Sequence, residues 1–408
     1  MQCGLLGRKL GHSYSPQIHK MLGSYSYQLF EVEPSDLSDF LVRRDFSGLN
    51  VTIPYKKDVI PYCDSLSERA EKLGAVNTLV CRDGKLIGHN TDYFGFLSMV
   101  EKSGVSVAGK KALILGSGGA SATAVAVLQE LGAKTIVISR TGPDNYTNLD
   151  KHADAAVIAN ATPVGMYPNT DLSPIDLSLF PKLECVLDLI YNPANTKLIQ
   201  EAQARGISSQ NGLWMLVAQA KESAEWFTGQ QIPDSVIDEI FHEVRFSMEN
   251  IVLIGMPGCG KSTIGKLLAE KLNRPFIDAD IALTERAGTS IPEIFATKGE
   301  PAFRRLETQV LSDLGKASGA VIATGGGCVT QPENYAHLHQ NSKIVWINRR
   351  LDCLATDGRP LSQANKLSDM YSIRKPLYEA FCDYTVSNDA DPMEAVNEIL
   401  MQLSGGKL

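Results

Sequence analysis

The stretch G-M-P-G-C-G-K-S at residues 255–262 constrains the fold more than any other part of the chain. It fits the pattern G-x-x-x-x-G-K-[ST], in which glycines allow backbone N–H groups to surround phosphate groups. The preceding run N-I-V-L-I predicts a strand. The residues that follow predict a helix with its apolar side chains on one face, namely Ile264, Leu267, Leu268 and Leu272. Strand, loop and helix in this order predict a P-loop α/β domain, whose helix N-terminus favours phosphate.

The side chains of this loop suit a nucleotide that carries Mg²⁺. An ammonium at Lys261 would neutralise phosphate charge, and the Ser262 hydroxyl is a suitable magnesium ligand. The expected nucleotide-binding residues are Gly258, Cys259, Gly260, Lys261, Ser262 and Thr263. The loop does not define the reaction, because switches, motors and kinases share it. Residues 365–368 read N-K-L-S instead of the guanine signature N-K-x-D, which argues against a GTPase.

Five later stretches carry charged residues or glycines suited to phosphoryl transfer. They are F-I-D-A-D at 276–280, G-E-P-A-F-R-R-L-E at 299–307, A-V-I-A-T-G-G-G at 320–327, G-R-P-L-S at 358–362 and I-R-K-P-L-Y at 373–378. The first predicts a strand end with Asp278 and Asp280 on the same side. The second places Arg304 in a helix, and the last two contribute Arg359 and Arg374.

In this order the stretches resemble shikimate kinase, and the resemblance covers residues 248–408. It implies that Asp280, Arg304 and Arg374 hold shikimate, with Asp280 orienting the acceptor hydroxyl and accepting its proton. Arginine suits the substrate carboxylate, because its planar fork makes bidentate hydrogen bonds. The resemblance also implies that the backbone approaches the substrate at three glycines, Gly325, Gly326 and Gly327.

The same resemblance implies a magnesium site and a mobile lid. Ser262 and Asp278 would hold Mg²⁺, the latter through water. Arg359 would come from the lid and stabilise charge on the transferring phosphoryl group. The stretch L-D-C-L-A-T-D-G-R-P-L-S at 351–362 is shorter than the lid of the family and lacks its run of basic residues.

A second glycine-rich turn, G-S-G-G-A-S at 116–121, lies between a predicted strand and a predicted helix. It departs from the dinucleotide pattern G-x-G-x-x-G at Ser121. The next predicted strand ends in Ser139, Arg140 and Thr141. NAD enzymes carry an acidic residue there for the ribose 2′-hydroxyl, whereas a basic residue suits the 2′-phosphate of NADP. The turn and strand end together favour a Rossmann domain that binds NADP(H).

Seven other stretches of the N-terminal part, taken with this turn, resemble shikimate dehydrogenase over residues 1–245. They are G-H-S-Y-S-P at 11–16, N-V-T-I-P-Y-K at 50–56, G-A-V-N-T-L at 74–79, G-H-N-T-D at 88–92, N-A-T-P-V-G-M at 160–166, D-L-I-Y-N-P at 188–193 and N-G-L-W-M-L-V-A-Q-A at 211–220. The segment between Arg140 and Asn160 is short, so a helix of the family and a second basic residue are expected to be missing there.

This resemblance implies that Lys56 and Asp92 form the catalytic pair. Hydride transfer to a ketone creates an alkoxide, which the Lys56 ammonium can stabilise and protonate while Asp92 holds and polarises the site. The implied substrate-binding residues are Ser13 and Ser15 for the carboxylate, Thr52, Asn77, Asn90 and Gln219 for the ring hydroxyls, and Tyr191 lining the site. The implied cofactor-binding residues are Gly116, Ser117, Gly118, Gly119, Ala120, Ser139, Arg140, Thr141, Thr162, Met166 and Gly212.

Each of these residues also has an ordinary structural interpretation. Lys56 stands beside Lys57 and could belong to a solvated charged face, and Asp92 could cap the following helix. Arg304 and Arg374, taken singly, could form surface ion pairs. The ordered sets of motifs favour the functional interpretations in both halves.

The predicted fold class is α/β throughout. A two-domain shikimate dehydrogenase-like half, with an α/β substrate domain and a Rossmann NADP domain, precedes a P-loop domain of the nucleoside-monophosphate-kinase type. The predicted bounds are residues 1–100 for the substrate domain, completed by about 210–245, residues 101–209 for the Rossmann domain and residues 248–408 for the kinase domain.

Composition excludes several classes of partner. The net charge of −7 leaves no general basic surface for nucleic acid, and no apolar run is long enough to span a membrane. The eight cysteines lack zinc-ligand spacing, and the N-terminus lacks a signal-peptide pattern, so a reducing cytoplasm is expected. The expected partners are the small molecules 3-dehydroshikimate, shikimate and ATP, with NADP(H) and Mg²⁺ as cofactors. The sequence does not indicate an oligomeric state.

The two resemblances share one metabolite, shikimate. The leading hypothesis is a bifunctional enzyme of aromatic amino-acid biosynthesis that makes shikimate and then phosphorylates it. Two alternatives stay open: a first half that acts on quinate with NAD⁺, and a regulatory or scaffolding protein whose second half only binds nucleotide. No motif joins the two sites, so shikimate is expected to diffuse freely between them.

Overall fold

The computed structural model describes residues 1–11, 13–354 and 364–403, and the side chains of residues 364–366 are not described. The chain divides into two compact units, Met1–Asn192 with Thr196–Arg245, and Pro193–Asn195 with Phe246–Leu408. None of the helices within the described ranges combines the length and the apolar character that crossing a membrane requires.

The first unit contains a six-stranded sheet in the order β2-β1-β3-β5-β6-β4. Its strands are β1 Gln2–Gly7, β2 Ser26–Glu31, β3 Gly48–Val51, β4 Ser65–Leu66, β5 Thr78–Arg82 and β6 Lys85–His89. Its helices are α1 Ser15–Leu22, α2 Leu37–Arg43, α3 Glu68–Leu73 and α4 Asp92–Lys102. The sheet is mixed, because β5 runs antiparallel to both β3 and β6.

A second sheet of the first unit has five parallel strands in the order β11-β10-β9-β7-β8. They are β7 Lys111–Leu115, β8 Lys134–Ile138, β9 Val157–Asn160, β10 Cys185–Asp188 and β11 Ser208–Gln210, with helices α5 Gly119–Glu130 and α6 Lys197–Ala204. The chain changes direction across the sheet after β8. This places a crevice outside the carboxyl ends of β7 and β9, where such folds bind nucleotides.

Only a 3₁₀ turn, Leu149–His152, lies between β8 and β9. The expected loss of a helix in this segment is therefore confirmed. Two further helices follow the second sheet, α7 Leu213–Thr228 and α8 Ser235–Met248. Helix α7 packs against α1 and α4, so residues far apart in sequence complete the first sheet's helical layer.

The second unit has one parallel five-stranded sheet in the order β13-β14-β12-β15-β16. Its strands are β12 Asn250–Ile254, β13 Phe276–Asp278, β14 Val321–Ala323, β15 Ser342–Asn348 and β16 Tyr384–Ser387. Its helices are α9 Lys261–Leu272, α10 Ala279–Ala287, α11 Ile291–Leu314, α12 Glu333–His339, α13 Ala364–Phe381 and α14 Pro392–Leu403. Strand β12 is fully buried at the centre, and the P-loop follows it directly.

Candidate active sites

The two residues of the predicted dehydrogenase pair contact each other. Lys56 Nζ donates to Asp92 Oδ2 at 2.6 Å, and the two side chains are 26% and 14% exposed. Lys56 follows β3 after a short turn, and Asp92 is the first residue of α4. The solvated-face interpretation of Lys56 is therefore wrong, because its ammonium is held in a partly buried ion pair.

The capping interpretation of Asp92 is also wrong. The N-cap of α4 is Thr91, whose side chain makes no capping hydrogen bond, and Asn90 Oδ1 accepts from the Tyr93 backbone N–H at 3.3 Å. The Asp92 carboxylate is instead bonded to Lys56. Helix α4 thus begins at Asp92 itself, with its N-cap one residue earlier, and Asp92 has no capping role.

Three of the four predicted ring-hydroxyl ligands surround Thr91, the residue before Asp92. Asn77 Oδ1 accepts from the Thr91 backbone N–H at 2.7 Å, and Gln219 Oε1 accepts from the Thr91 hydroxyl at 3.4 Å. Asn90 donates to the Ala75 carbonyl at 2.9 Å. Thr52, the fourth, is half-buried after β3. The polar residues are therefore anchored next to the catalytic pair.

Sequence reasoning missed the hydroxyl network behind this group. The Ser223 hydroxyl lies 2.9 Å from both the Thr78 and Thr91 hydroxyls, and Asn50 Nδ2 donates to Ser223 at 2.8 Å. All four side chains are buried, so their hydrogen bonds fix each other's positions. The network holds Thr91 and, through the start of α4, the carboxylate of Asp92.

The predicted carboxylate ligands lie together at the start of α1. The Ser15 backbone N–H donates to Ser13 Oγ at 3.3 Å, and Ser15 is 8% exposed. Tyr14 between them packs edge-on against Tyr191, with ring centroids 6.3 Å apart. Burial raises the pKa of the Tyr191 hydroxyl, which therefore stays a neutral donor at physiological pH. Tyr14, which lies between the two serines, thus brings the start of α1 into contact with Tyr191.

The glycine turn at the crevice of the second sheet fits a dinucleotide. Gly116 has φ of 105°, a left-handed conformation that favours glycine, and a Cβ there would meet Thr162 Cγ2 at 3.1 Å. A Cβ on Gly118 or Gly119 would have no atom within 4 Å, so the start of α5 is open to a ligand. Ser121 at the sixth position donates its hydroxyl to the Gly116 carbonyl at 2.7 Å and closes the turn.

The remaining predicted cofactor residues divide into exposed and structural ones. Arg140, Thr141 and Met166 are exposed, whereas the Ser139 hydroxyl accepts from the Gly142 backbone N–H at 2.9 Å. At Gly212 the neighbouring backbone leaves no room for a side chain, since a Cβ there would lie 2.0 Å from the Leu189 carbonyl oxygen. Ser117 lies in the turn itself, and Ala120 lies in the first turn of α5.

A buried carboxylate joins the strand ends beside this turn. Asp188 accepts from Asn160 Nδ2 at 3.0 Å and from Thr196 Oγ1 at 2.6 Å. Burial raises the pKa of Asp188 to about 6. Asp188 therefore connects two of the recognised stretches, N-A-T-P-V-G-M and D-L-I-Y-N-P, and has a structural role.

The P-loop of the second unit has the backbone geometry that phosphate binding needs. Gly258 and Gly260 have φ of 83° and 99°, and a Cβ on Gly260 would lie 2.4 Å from Asn388 Nδ2. Lys261 is buried, and its ammonium donates to the carbonyls of Gly255 and Met256 at 2.8 and 3.1 Å. Cys259 is buried beneath the loop, and Thr263 follows Ser262 on α9.

The two predicted magnesium ligands contact each other. Ser262 Oγ donates to Asp278 Oδ2 at 2.8 Å. Hydroxyl and carboxylate oxygens suit Mg²⁺, which is held by one or two carboxylates together with substrate phosphates. No group of three or more His, Cys, Asp or Glu side chains suited to a metal occurs in the described part of the chain. These two residues therefore fit a cation that arrives with a nucleotide.

The prediction that Asp278 and Asp280 both end the second strand is wrong for Asp280. Strand β13 ends at Asp278, and Asp280 lies in the first turn of α10. The reason is a cap: Asp278 Oδ1 accepts from the Asp280 backbone N–H at 3.0 Å, which starts the helix there. The two carboxylates nevertheless line one cavity of about 1010 Å³ with Lys261 and Ser262.

The predicted acceptor-binding residues converge at the glycine stretch after β14. A Cβ on Gly325 would lie 2.9 Å from Asp280 Oδ1, and one on Gly327 would lie 2.3 Å from Arg304 Nη1. Arg374 Nη1 donates to the Gly326 carbonyl at 3.1 Å. The glycines are therefore needed where the side chains approach the backbone. Arg359 lies outside the described residues.

Glu307 belongs to this group and was missed from the sequence. Its Oε2 accepts from Arg304 Nη1 at 2.7 Å, and its other oxygen is buried without a hydrogen-bond partner within the described ranges. Burial raises the pKa of Glu307, while the Arg304 guanidinium opposes the rise. The spacing of Arg304 and Glu307 could have indicated this pair, because side chains three positions apart are neighbours on a helix such as α11.

Replacing Glu307 by glutamine is expected to raise the KM for shikimate by about 10- to 100-fold, because a charge-assisted hydrogen bond fixes Arg304. The matched control is Glu300→Gln, since Glu300 also pairs with Arg304 but is 63% exposed. Exposed ion pairs contribute little interaction free energy, so the control is expected to change the KM for shikimate by less than about threefold. Steady-state kinetics with shikimate measure both variants, and equal effects would contradict the assigned role.

Comparisons with known proteins identify two families in the chain. Residues 257–404 match the family model described as shikimate kinase, and residues 5–79 match the shikimate dehydrogenase substrate binding domain. A shikimate dehydrogenase (NADP(+)) of Clostridium perfringens is 34% identical over 264 residues, which cover 59% of this chain and 97% of that protein.

Solved structures resemble the N-terminal part. The chorismate mutase/shikimate 5-dehydrogenase fusion protein of Clostridium acetobutylicum has a TM-score of 0.57 at 38% identity, covering 60% of this chain and 96% of that one. Shikimate 5-dehydrogenase of Thermus thermophilus, in complex with NADP(H) and shikimate, has a TM-score of 0.55 at 32% identity and covers 60% and 99% of the two chains.

The folds and sites are those of two kinds of α/β enzyme in one chain: a dinucleotide-dependent oxidoreductase, followed by a P-loop phosphotransferase. The chain belongs to the shikimate dehydrogenase family and carries a shikimate kinase domain in its C-terminal region. The predicted fold class and the predicted cofactors, NADP(H) and Mg²⁺ with ATP, are thereby confirmed.

Proposed function

We propose that the chain catalyses two consecutive reactions: the reduction of 3-dehydroshikimate to shikimate, and the phosphorylation of shikimate at its 3-hydroxyl to shikimate 3-phosphate. The observation that supports the proposal is the presence of two separate clusters of chemical groups in one chain. One set centres on Lys56 and Asp92, and the other on Lys261, Asp278 and Asp280.

In the first reaction NADPH would supply the hydride. The Lys56 ammonium, held by Asp92, would donate its proton to the ketone oxygen as that oxygen becomes an alkoxide. Ser13 and Ser15 would bind the substrate carboxylate, and Thr52, Asn77, Asn90 and Gln219 would bind its ring hydroxyls. The glycine turn from Gly116 to Ala120, with Thr162, Met166 and Gly212, would hold the cofactor.

In the second reaction Mg²⁺–ATP would supply the phosphoryl group. Asp280 would orient the 3-hydroxyl of shikimate and accept its proton. The forks of Arg304 and Arg374 would bind the shikimate carboxylate beside the backbone of Gly325 to Gly327. Lys261 would bind phosphate oxygens, while Ser262 and Asp278 would hold the metal and Arg359 would stabilise the transferring group.

We further propose residues 1–100 with about 210–245 as the substrate domain, residues 101–209 as the Rossmann domain and residues 248–408 as the kinase domain. Eight free cysteines support a reducing cytoplasm as the compartment. The net charge of −7 supports small molecules, and neither nucleic acid nor membrane, as partners.

Two half-assays on the purified full chain test the proposal. NADPH oxidation with 3-dehydroshikimate is expected without ATP, and ADP formation with shikimate is expected without NADPH. Chelation of Mg²⁺ is expected to stop only the second. If the protein reduced dehydroshikimate but formed no ADP with shikimate, the bifunctional assignment would fail and a nucleotide-binding scaffold would replace it. Higher rates with quinate and NAD⁺ would favour the other open alternative.

Replacing Arg140 by glutamine is expected to raise the KM for NADPH by about 10- to 100-fold and to leave that for NADH unchanged. The reason is that the exposed guanidinium at the end of β8 is the main cation offered to the 2′-phosphate. Lys134→Gln, at the exposed opposite end of β8, is the matched control. Equal increases in the KM for NADPH and for NADH would show that Arg140 does not bind the 2′-phosphate.

A further inference from the structure

Arg349 follows β15 and leaves the sheet beside the P-loop. Strands β12 and β15 are parallel neighbours, with Ile254 paired to Trp346, so their carboxyl ends open on the same edge. The strands that lead to Asp278 and Gly325 lie on the other side of β12. Arg349 is therefore separated from the acceptor-binding groups by the P-loop itself.

The Arg349 side chain lines the same cavity as the P-loop residues Lys261, Ser262 and Thr263. Its Nε is buried and has no hydrogen-bond partner among the described residues. A buried N–H without an acceptor is unfavourable, so the position calls for an acceptor that is not part of the described protein.

The neighbouring residue, Arg350, does not share the buried donor that Arg349 leaves unpaired within the described part of the chain. Arg350 is 66% exposed and is neutralised locally, since its Nε donates to Asp352 Oδ1 at 3.1 Å. Two adjacent arginines thus have different surroundings: Arg350 is paired at the surface, whereas Arg349 has a donor buried at the nucleotide cavity.

We propose that Arg349 binds the phosphate chain of the nucleotide, on the side of the P-loop opposite the acceptor. The proposal rests on the proposed kinase function and adds a residue to it. Phosphate oxygens are the acceptors that the P-loop brings into this cavity, and guanidinium N–H groups match them in geometry and charge. The carboxylate of shikimate is bound elsewhere, beside Arg304 and Arg374.

Titration calorimetry on the full chain tests this with two probes, ADP with Mg²⁺ and inorganic tripolyphosphate. Arg349→Gln is expected to weaken binding of both by about 10- to 100-fold, because a charge-assisted hydrogen bond is lost. Arg350→Gln, the matched control, is expected to change binding by less than about twofold. Thermal melting and shikimate binding check that the kinase unit of each variant is folded.

Two results would overturn the proposal: wild-type affinity for ADP in Arg349→Gln, or weaker ADP binding with unchanged tripolyphosphate binding, which would indicate contact with the base. If Arg349→Gln fails to fold, Arg349→Lys is the second variant, because it keeps the charge but lacks the planar fork and the Nε donor; it is expected to bind both probes at least about threefold more weakly than the wild type. Wild-type affinity for both probes in a folded Arg349→Lys protein would also count against the proposal. Wild-type protein that binds ADP but does not phosphorylate shikimate would contradict the proposed function and leave this inference standing.

Discussion

Replacing Lys56 by methionine is expected to lower the rate of 3-dehydroshikimate reduction by about 10²- to 10⁴-fold, the range that general acid catalysis contributes. Methionine keeps much of the length of the side chain but removes the ammonium that Asp92 holds at 2.6 Å. The measurement is steady-state NADPH oxidation by the full chain.

The matched control for this variant is Lys57→Met, because Lys57 is the adjacent lysine and is exposed. It is expected to keep its rate within about twofold. Loss of the ion pair leaves Asp92 partly buried without its partner, so NADPH binding and shikimate kinase activity are measured on the same sample. A Lys56→Met protein that binds NADPH and reduces the substrate at the wild-type rate would remove Lys56 from the mechanism.

Replacing Lys261 by methionine is expected to lower shikimate-dependent ADP formation by about 10²- to 10³-fold, the usual cost of removing one preorganised donor to transition-state charge. The dehydrogenase rate is expected to stay unchanged, because Lys261 belongs to the second compact unit. The measurement is ADP formation at saturating shikimate.

Lys266→Met is the matched control, since Lys266 lies on the same helix, α9, and is exposed. It is expected to keep full kinase activity. Comparable losses in the two variants would mean that removing any lysine of α9 damages the domain. Unchanged ADP formation in Lys261→Met would contradict the assignment of the P-loop as the phosphoryl-transfer site.

Much of each site was predictable because its residues lie within continuous stretches. The P-loop requires glycines and a lysine at fixed spacing, and the strand before it and helix after it were visible as apolar patterns. The pairing of Lys56 with Asp92 followed from the family resemblance, since one sequence does not show that side chains 36 positions apart touch.

The residues that escaped prediction depend on long-range contacts. Ser223 bonds to Asn50 across 173 positions and to Thr91 across 132, and nothing in the local pattern of α7 marks it. Asp280 was assigned to a strand because alternation alone did not reveal that Asp278 caps a helix. Glu307 was one acid in a charged helix, and only its burial distinguishes it from exposed Glu300. The strand orders likewise required the structure.

A coupled assay of the full chain tests the central claim most directly. It supplies 3-dehydroshikimate, NADPH, ATP and Mg²⁺, and follows both nucleotides and the final product. Two active sites of one pathway predict that NADPH oxidation is followed by ADP formation, in equal final amounts, with shikimate 3-phosphate as the product. Complete oxidation of NADPH with accumulation of shikimate and no ADP would contradict the claim.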